Sequence, residues 1–161
     1  MNPLSSLAPA LKDIASAQKT SFATTQAIWR FLNNENVSFK QLNQPIESLA
    51  SLEIKQSNHA FALVAHDWSQ LQYVKHNNKE NRFKRTHAHD LSYELQSSLL
   101  IDADDGLPIA PVAQTLSDAT GCYSTFTEHY EAKETHLDSL MEQIKYIESQ
   151  KLDKTLVHII D

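Results

Sequence analysis

Two short apolar runs constrain this chain more than anything else in it: Phe61-Ala62-Leu63-Val64-Ala65-His66-Asp67 and Thr155-Leu156-Val157-His158-Ile159-Ile160-Asp161. Each is mostly continuous hydrophobic, rich in residues that suit a strand, and about as long as a strand buried on both faces. Each ends in an aspartate where a buried stretch should emerge into solvent. A polar residue that closes a strand is ordinary when taken singly. If the two strands lie side by side and parallel, however, Asp67 and Asp161 arrive at the same edge of one sheet. Divalent-metal sites are assembled in this way from residues far apart in sequence.

The 161 residues suffice for one domain with a real core, or for a small helical unit plus part of a larger one. A hydrophobic content of 41% argues against disorder. No apolar run is long enough to cross a membrane, and the N-terminus lacks the apolar region of a signal peptide. The single cysteine, Cys122, excludes an internal disulfide and any zinc site built from several thiolates, and it points to a reducing, cytoplasmic setting. Gly106 and Gly121 are too few for a P-loop or a dinucleotide fingerprint, which need clustered glycines. No serine stands in a nucleophile-elbow pattern.

The net charge of −6 looks wrong for a nucleic-acid binder, but it hides an asymmetry. Residues 67–89 hold five basic against two acidic side chains, whereas residues 90–161 hold four against fourteen. The basic stretch follows the first aspartate directly. Within it, Lys75, Lys79, Arg82, Lys84 and Arg85 read either as a solvated loop or as a segment that contacts phosphates, giving affinity without sequence specificity.

Residues 1–58 form the first expected unit, a helical segment that is a candidate for DNA binding. Leu4, Leu7, Leu11 and Ile14 recur at helical spacing, as do Ala27, Ile28, Phe31 and Leu32 after a Thr24-Thr25 cap. Asn33-Asn34 should stop that helix. Ser38-Phe39-Lys40-Gln41 fits a capping box, and Pro45 is expected to end the short helix it opens and to start another through Leu49 and Leu52. A plain helical bundle explains this segment as readily as a DNA-binding headpiece, since no basic recognition helix is visible.

Residues 59–161 form the second unit. After the strand at 61–67 comes a long polar connection, then a strand over Tyr93–Ile101, then a turn at Asp102-Ala103-Asp104-Asp105-Gly106. The third strand, Leu107 to Leu116, carries Pro108 and Pro111 and should therefore lie at a sheet edge. Thr125-Phe126-Thr127-Glu128 reads as a capping box opening a helix. Leu137, Leu140, Met141, Ile144 and Ile147 would form its apolar stripe, and Glu128, Glu131, Glu134, Asp138, Glu142 and Glu148 a solvated acidic face. Three hairpin-connected strands followed by a crossover helix return the fourth strand parallel to the first, in spatial order 3-2-1-4. The expected class is thus α+β or α/β, with a mixed sheet.

A competing site is His87-Ala88-His89-Asp90, which is similar to the metal-binding stretch of metallo-β-lactamase-like hydrolases. It lacks one residue of that family's spacing and a later histidine. Asp102, Asp104 and Asp105 fail as a calcium loop, because the glycine comes one place early and no glutamate holds the twelfth position.

The stretches Leu63-Val64-Ala65-His66-Asp67-Trp68-Ser69, Ser98-Leu99-Leu100-Ile101, Gly106 to Leu116 and Leu156 to Asp161 together resemble bacterial insertion-sequence DDE transposases with an RNase H-like core, the group that cuts and pastes through a DNA hairpin. Phe31-Leu32-Asn33-Asn34-Glu35-Asn36-Val37-Ser38 resembles the segment joining their helical N-terminal domain to that core. The resemblance covers essentially the whole chain in short motifs, with Asp67-Trp68-Ser69 where some members have Asp-Thr-Thr. It implies that Asp67 and Asp161 are the first two catalytic carboxylates, which hold Mg²⁺ or Mn²⁺ for phosphoryl transfer at transposon ends. It further implies double-stranded DNA as partner, a homodimer or a full-length transposase as a second partner, and a bacterial, nucleoid-associated location. The family's third acid, a glutamate on a later helix, has no counterpart here. The chain is therefore expected to be inactive alone, with residues 155–161 as an exposed apolar edge. Two alternatives stay open: a non-catalytic DNA-binding or inhibitory transposase fragment, and a metal-dependent hydrolase using His87, His89 and Asp90.

Overall fold

Alternating burial along residues 61–72 sets the plan of the molecule. Ala62, Val64 and His66 are buried, while Phe61 and Asp67 on the opposite side of the strand are exposed. A computed structural model describes residues 21–34, 36–73, 75, 78–84 and 91–160. Among them are three helices, α1 (Ser21–Leu32), α2 (Phe39–Gln56) and α3 (His136–Ser149). The six strands are β1 (Phe61–Gln72), β2 (Phe83–Lys84), β3 (Leu91–Ile101), β4 (Pro108–Ser117), β5 (Cys122–Ser124) and β6 (Thr155–Ile160). The sheet runs β5-β4-β3-β1-β6, with the short β2 paired to β3. Pairing is antiparallel throughout except between β1 and β6, which are parallel. The result is an α+β fold with a mixed, open sheet.

Local chemistry explains most element boundaries. Ser38 caps α2 by accepting a hydrogen bond from the Gln41 amide, and the Gln41 side chain accepts in return from the Ser38 amide. Asn33 closes α1, its amide and its side chain both donating to the Trp29 carbonyl. The Asp102–Leu107 turn joins β3 to β4. Gly106 takes φ +73° there, and its amide donates to the Asp102 carbonyl. The Asp102 carboxyl is held below the usual carboxylate range by the Asp104 amide and the Ser57 hydroxyl that donate to it.

Several expected boundaries move. Pro45 lies inside α2, which continues for 18 residues without a break. Proline costs a helix one amide donor, and the buried side of α2 (Asn43, Ala50 and Ile54) holds the turn in place against the sheet. Thr24 and Thr25 lie within α1 rather than at its start. Thr125–Glu128 opens no helix, because α3 begins only after Thr135, whose side chain accepts from the Asp138 amide. Ser124 takes the local donors first, accepting from the amides of Phe126 and Thr127. Glu128, Glu131 and Glu134 therefore precede the helix. The proline strand is not an outer strand along its whole length. β5 pairs with Thr115–Ser117 alone, and Pro108 and Pro111 lie on the stretch beyond it, where two register shifts interrupt the pairing with β3.

The core joins α2 to the sheet. Ala50 and Ile54 of α2 belong to the same buried cluster as Ala62, Val64, Leu100 and Ile147. Both α2 and α3 thus cover the sheet face that carries Ala62, Val64 and His66. At the other end of the sheet, β6 has no outer neighbour among the described residues, and its Val157, Ile159 and Ile160 are exposed. The expected helix over residues 4–14 lies outside the described residues.

Candidate functional site

Parallel pairing of β1 with β6 aligns Ala65 with Ile159 and His66 with Ile160. Asp67 follows on β1 at the point where burial ends. It is exposed, and its Oδ2 accepts a hydrogen bond of 2.6 Å from Ser69. Across the sheet Asp67 aligns with Ser97 of β3, which aligns with Gln114 of β4. The Gln114 amide donates to Ser97 Oγ at 3.1 Å. A polar row therefore crosses three strands on the face away from α2 and α3. Asp161 lies outside the described residues, as do Arg85, His87, His89 and Asp90. Among the described residues no group of three His, Cys, Asp or Glu side chains is placed to hold a metal ion.

The basic residues separate into two kinds. Lys75 and Lys84 are exposed. Arg82 and Lys79 are instead engaged on Tyr73: Arg82 donates to its carbonyl at 3.1 Å, and the Lys79 ammonium sits 4.9 Å from its ring centre. These two side chains fasten the loop after β1, a task that composition does not distinguish from phosphate contact.

Sequence reasoning missed a polar thread beneath α3. Gln143, fully buried on that helix, donates to Thr115 Oγ1 at 2.9 Å and accepts from Ser98 Oγ at 2.6 Å. Ser98 lies 2.8 Å from Nδ1 of His66, whose Nε2 lies 2.8 Å from Nδ1 of His158. The two imidazoles stack at 5.1 Å, and His158 reaches Glu148 at 3.1 Å. Because Ser98 spends its proton on Gln143, Nδ1 of His66 carries a hydrogen and Nε2 accepts one from His158. Burial and the neighbouring His158 lower the His66 pKa to about 4, so this ring is neutral at ordinary pH. One signal could have found the thread: each apolar run carries a histidine among strand-forming residues, and parallel pairing makes the two histidines neighbours.

Among the described residues, no helix is long and apolar enough to cross a membrane. In comparison with known proteins, no family model and no curated protein matches this chain.

Proposed function

We propose that this chain forms part of a DDE-type transposase with an RNase H-like core and acts in metal-dependent phosphoryl transfer on DNA, in a bacterial cytoplasm and close to the nucleoid. The observation that carries the reading is the parallel β1–β6 pair, whose last partners, His66 and Ile160, stand one residue before Asp67, although β1 itself runs on to Gln72 rather than ending at this exposed aspartate. In this reading Asp67 and Asp161 hold Mg²⁺ or Mn²⁺, hard cations that take oxygen donors and polarise a phosphoryl oxygen. The exposed Lys75 and Lys84 contact phosphates of double-stranded DNA and add a salt-dependent affinity.

Mn²⁺ tests the metal reading directly, since a bound paramagnetic ion broadens nearby amide resonances. The expected outcome is selective, saturable broadening at residues 65–69 that Asp67→Asn abolishes while the rest of the spectrum stays in place. Broadening spread evenly over the acidic surface, or unchanged in Asp67→Asn, would overturn it. A paired DNA-binding measurement with Lys75→Ala/Lys84→Ala should show weaker binding and a smaller salt slope, lower by about two contacts.

A further inference from the structure

α2 is apolar on two sides, and the described fold covers one of them. Asn43, Ala50 and Ile54 are buried on the side turned to the sheet. Along the neighbouring side Phe39, Leu42, Ile46 and Leu49 follow one another at intervals of three, four and three residues, and each is between 36% and 52% exposed. Phe39 meets Tyr123 of β5 edge-on, with ring centres 6.2 Å apart, but Tyr123 is itself exposed. A helix whose apolar surface exceeds one stripe is built to be covered on more than one side. Intervals that alternate between three and four residues are the seam along which two helices pair.

Spacing, charge and chain connection point to one occupant. Ahead of α1, Leu4, Leu7, Leu11 and Ile14 repeat the same three, four, three intervals. Pro9 is compatible with a helix there, since with Ser6 as cap it falls in the first turn, where an amide donor is not needed. Six residues (15–20) separate Ile14 from α1, and six more (33–38) separate α1 from α2. Connections of that length join antiparallel neighbours in helix bundles. Two such reversals leave the first segment parallel to α2. In that direction Leu7 faces Leu42, Leu11 faces Ile46, Ile14 faces Leu49, and Gln18 faces the exposed Glu53 with Lys19 beside it. A second copy of α2 fits less well. Laid parallel, Glu53 would meet its own counterpart; laid antiparallel about Ile46, it would meet Phe39. We propose that residues 7–18 lie as a helix along the outer side of α2, parallel to it, with Leu7, Leu11 and Ile14 on Leu42, Ile46 and Leu49. Being tethered, the segment acts at an effective concentration on the order of millimolar, which a second copy does not match in dilute solution. The contact is independent of the carboxylate chemistry proposed for Asp67, which lies on the sheet face away from α2.

Methyl–methyl NOEs in the isotope-labelled full chain read the contact directly. The expected peaks are Leu7–Leu42, Leu11–Ile46 and Ile14–Leu49, in that order. Leu11→Asp leaves the buried cluster untouched and should erase all three. It should also shift the Ile46 methyl resonances while those of Leu137, exposed on α3, stay in place. An isotope-filtered spectrum of labelled chain mixed with unlabelled chain should contain none of these peaks. Their absence from the full chain, or unmoved Ile46 resonances in Leu11→Asp, would overturn the proposal. The reversed order Leu7–Ile46 and Leu11–Leu42 would overturn the parallel arrangement. Peaks in the filtered spectrum would assign the surface to a second copy and overturn it equally.

Discussion

The two helices that cover the sheet do so by different means. α2 contributes Ala50 and Ile54, both fully buried among apolar side chains of β1, β3 and β4. α3 contributes Leu140 and Ile147, but between them it buries Gln143, which ties the helix to Ser98, Thr115 and, through Ser98, His66. An apolar contact is non-directional and tolerates sliding, whereas a chain of hydrogen bonds fixes position and rotation. The α2 interface stabilises chiefly by area, while the α3 interface also specifies a register. Since α3 is the connection that returns the chain to β6, that register bears on how β6 meets β1.

The contrast is broken most forcefully in the apolar half. Ile54→Ala removes a fully buried side chain and should cost about 2–5 kcal/mol, read as a lower midpoint in urea unfolding with little change in slope. Gln143→Leu is nearly isosteric but strips partners from Ser98 and Thr115, for an expected loss of about 1–3 kcal/mol. Adding Ser98→Ala to Gln143→Leu should cost less than the two single changes summed, because two apolar groups facing one another leave fewer unsatisfied atoms than one. Strict additivity would mean that the thread is not a unit.

The thread should also make stability depend on pH in a way that α2 does not. The pKa of His66 falls from 6.5 unfolded to about 4 folded, so between those values the unfolded chain binds the extra proton. Its contribution is fully present above about pH 6.5, shrinks as the pH falls and is lost near pH 4. A loss of about 3 kcal/mol is expected between pH 7.5 and pH 4, measured by urea unfolding against His66→Asn, which should lack that component of the slope. An identical pH dependence in the variant would assign the effect to other groups.

What the sequence disclosed, and what it did not, follows the same division. Apolar continuity at 61–66 and 155–160 marks two strands, and Ser38–Gln41 marks a helix start, because both signals are local. Pro45 and Thr125–Glu128 mislead for a shared reason: each is a local rule overridden by a partner distant in sequence or by a competing turn. The sheet holds α2 straight through the proline, while Ser124 captures the amides that a cap at Thr125 would leave to a helix. Neither the Gln143 thread nor the burial of Gln96 is legible beforehand, since a glutamine in an amphipathic helix and one in a strand look like surface residues. Only the fold reveals that both are buried. Asp67 could be singled out because a charge that ends an apolar run is visible in one dimension.

The smallest effect concerns a hydrogen bond that joins the two helices to each other. The Tyr146 hydroxyl of α3 donates to Glu47 Oε1 of α2 at 2.5 Å, and its ring stacks on Phe126 with centres 5.0 Å apart. Burial and the adjacent carboxylate both push this phenol above its ordinary pKa, so it keeps its proton and remains a donor throughout the neutral range. Tyr146→Phe preserves the ring contact and removes only the donor. Glu47 is half-buried and keeps the Asn43 amide, which donates to it at 2.8 Å, so the loss should be about 1 kcal/mol. Hydrogen exchange then distinguishes two arrangements. If the helices are held independently by the sheet, protection should fall modestly and equally in α2 and α3. If Glu47–Tyr146 transmits the register of α3 to α2, protection in α2 should fall further than in α3, and the division between an area-held and a register-held helix would be wrong.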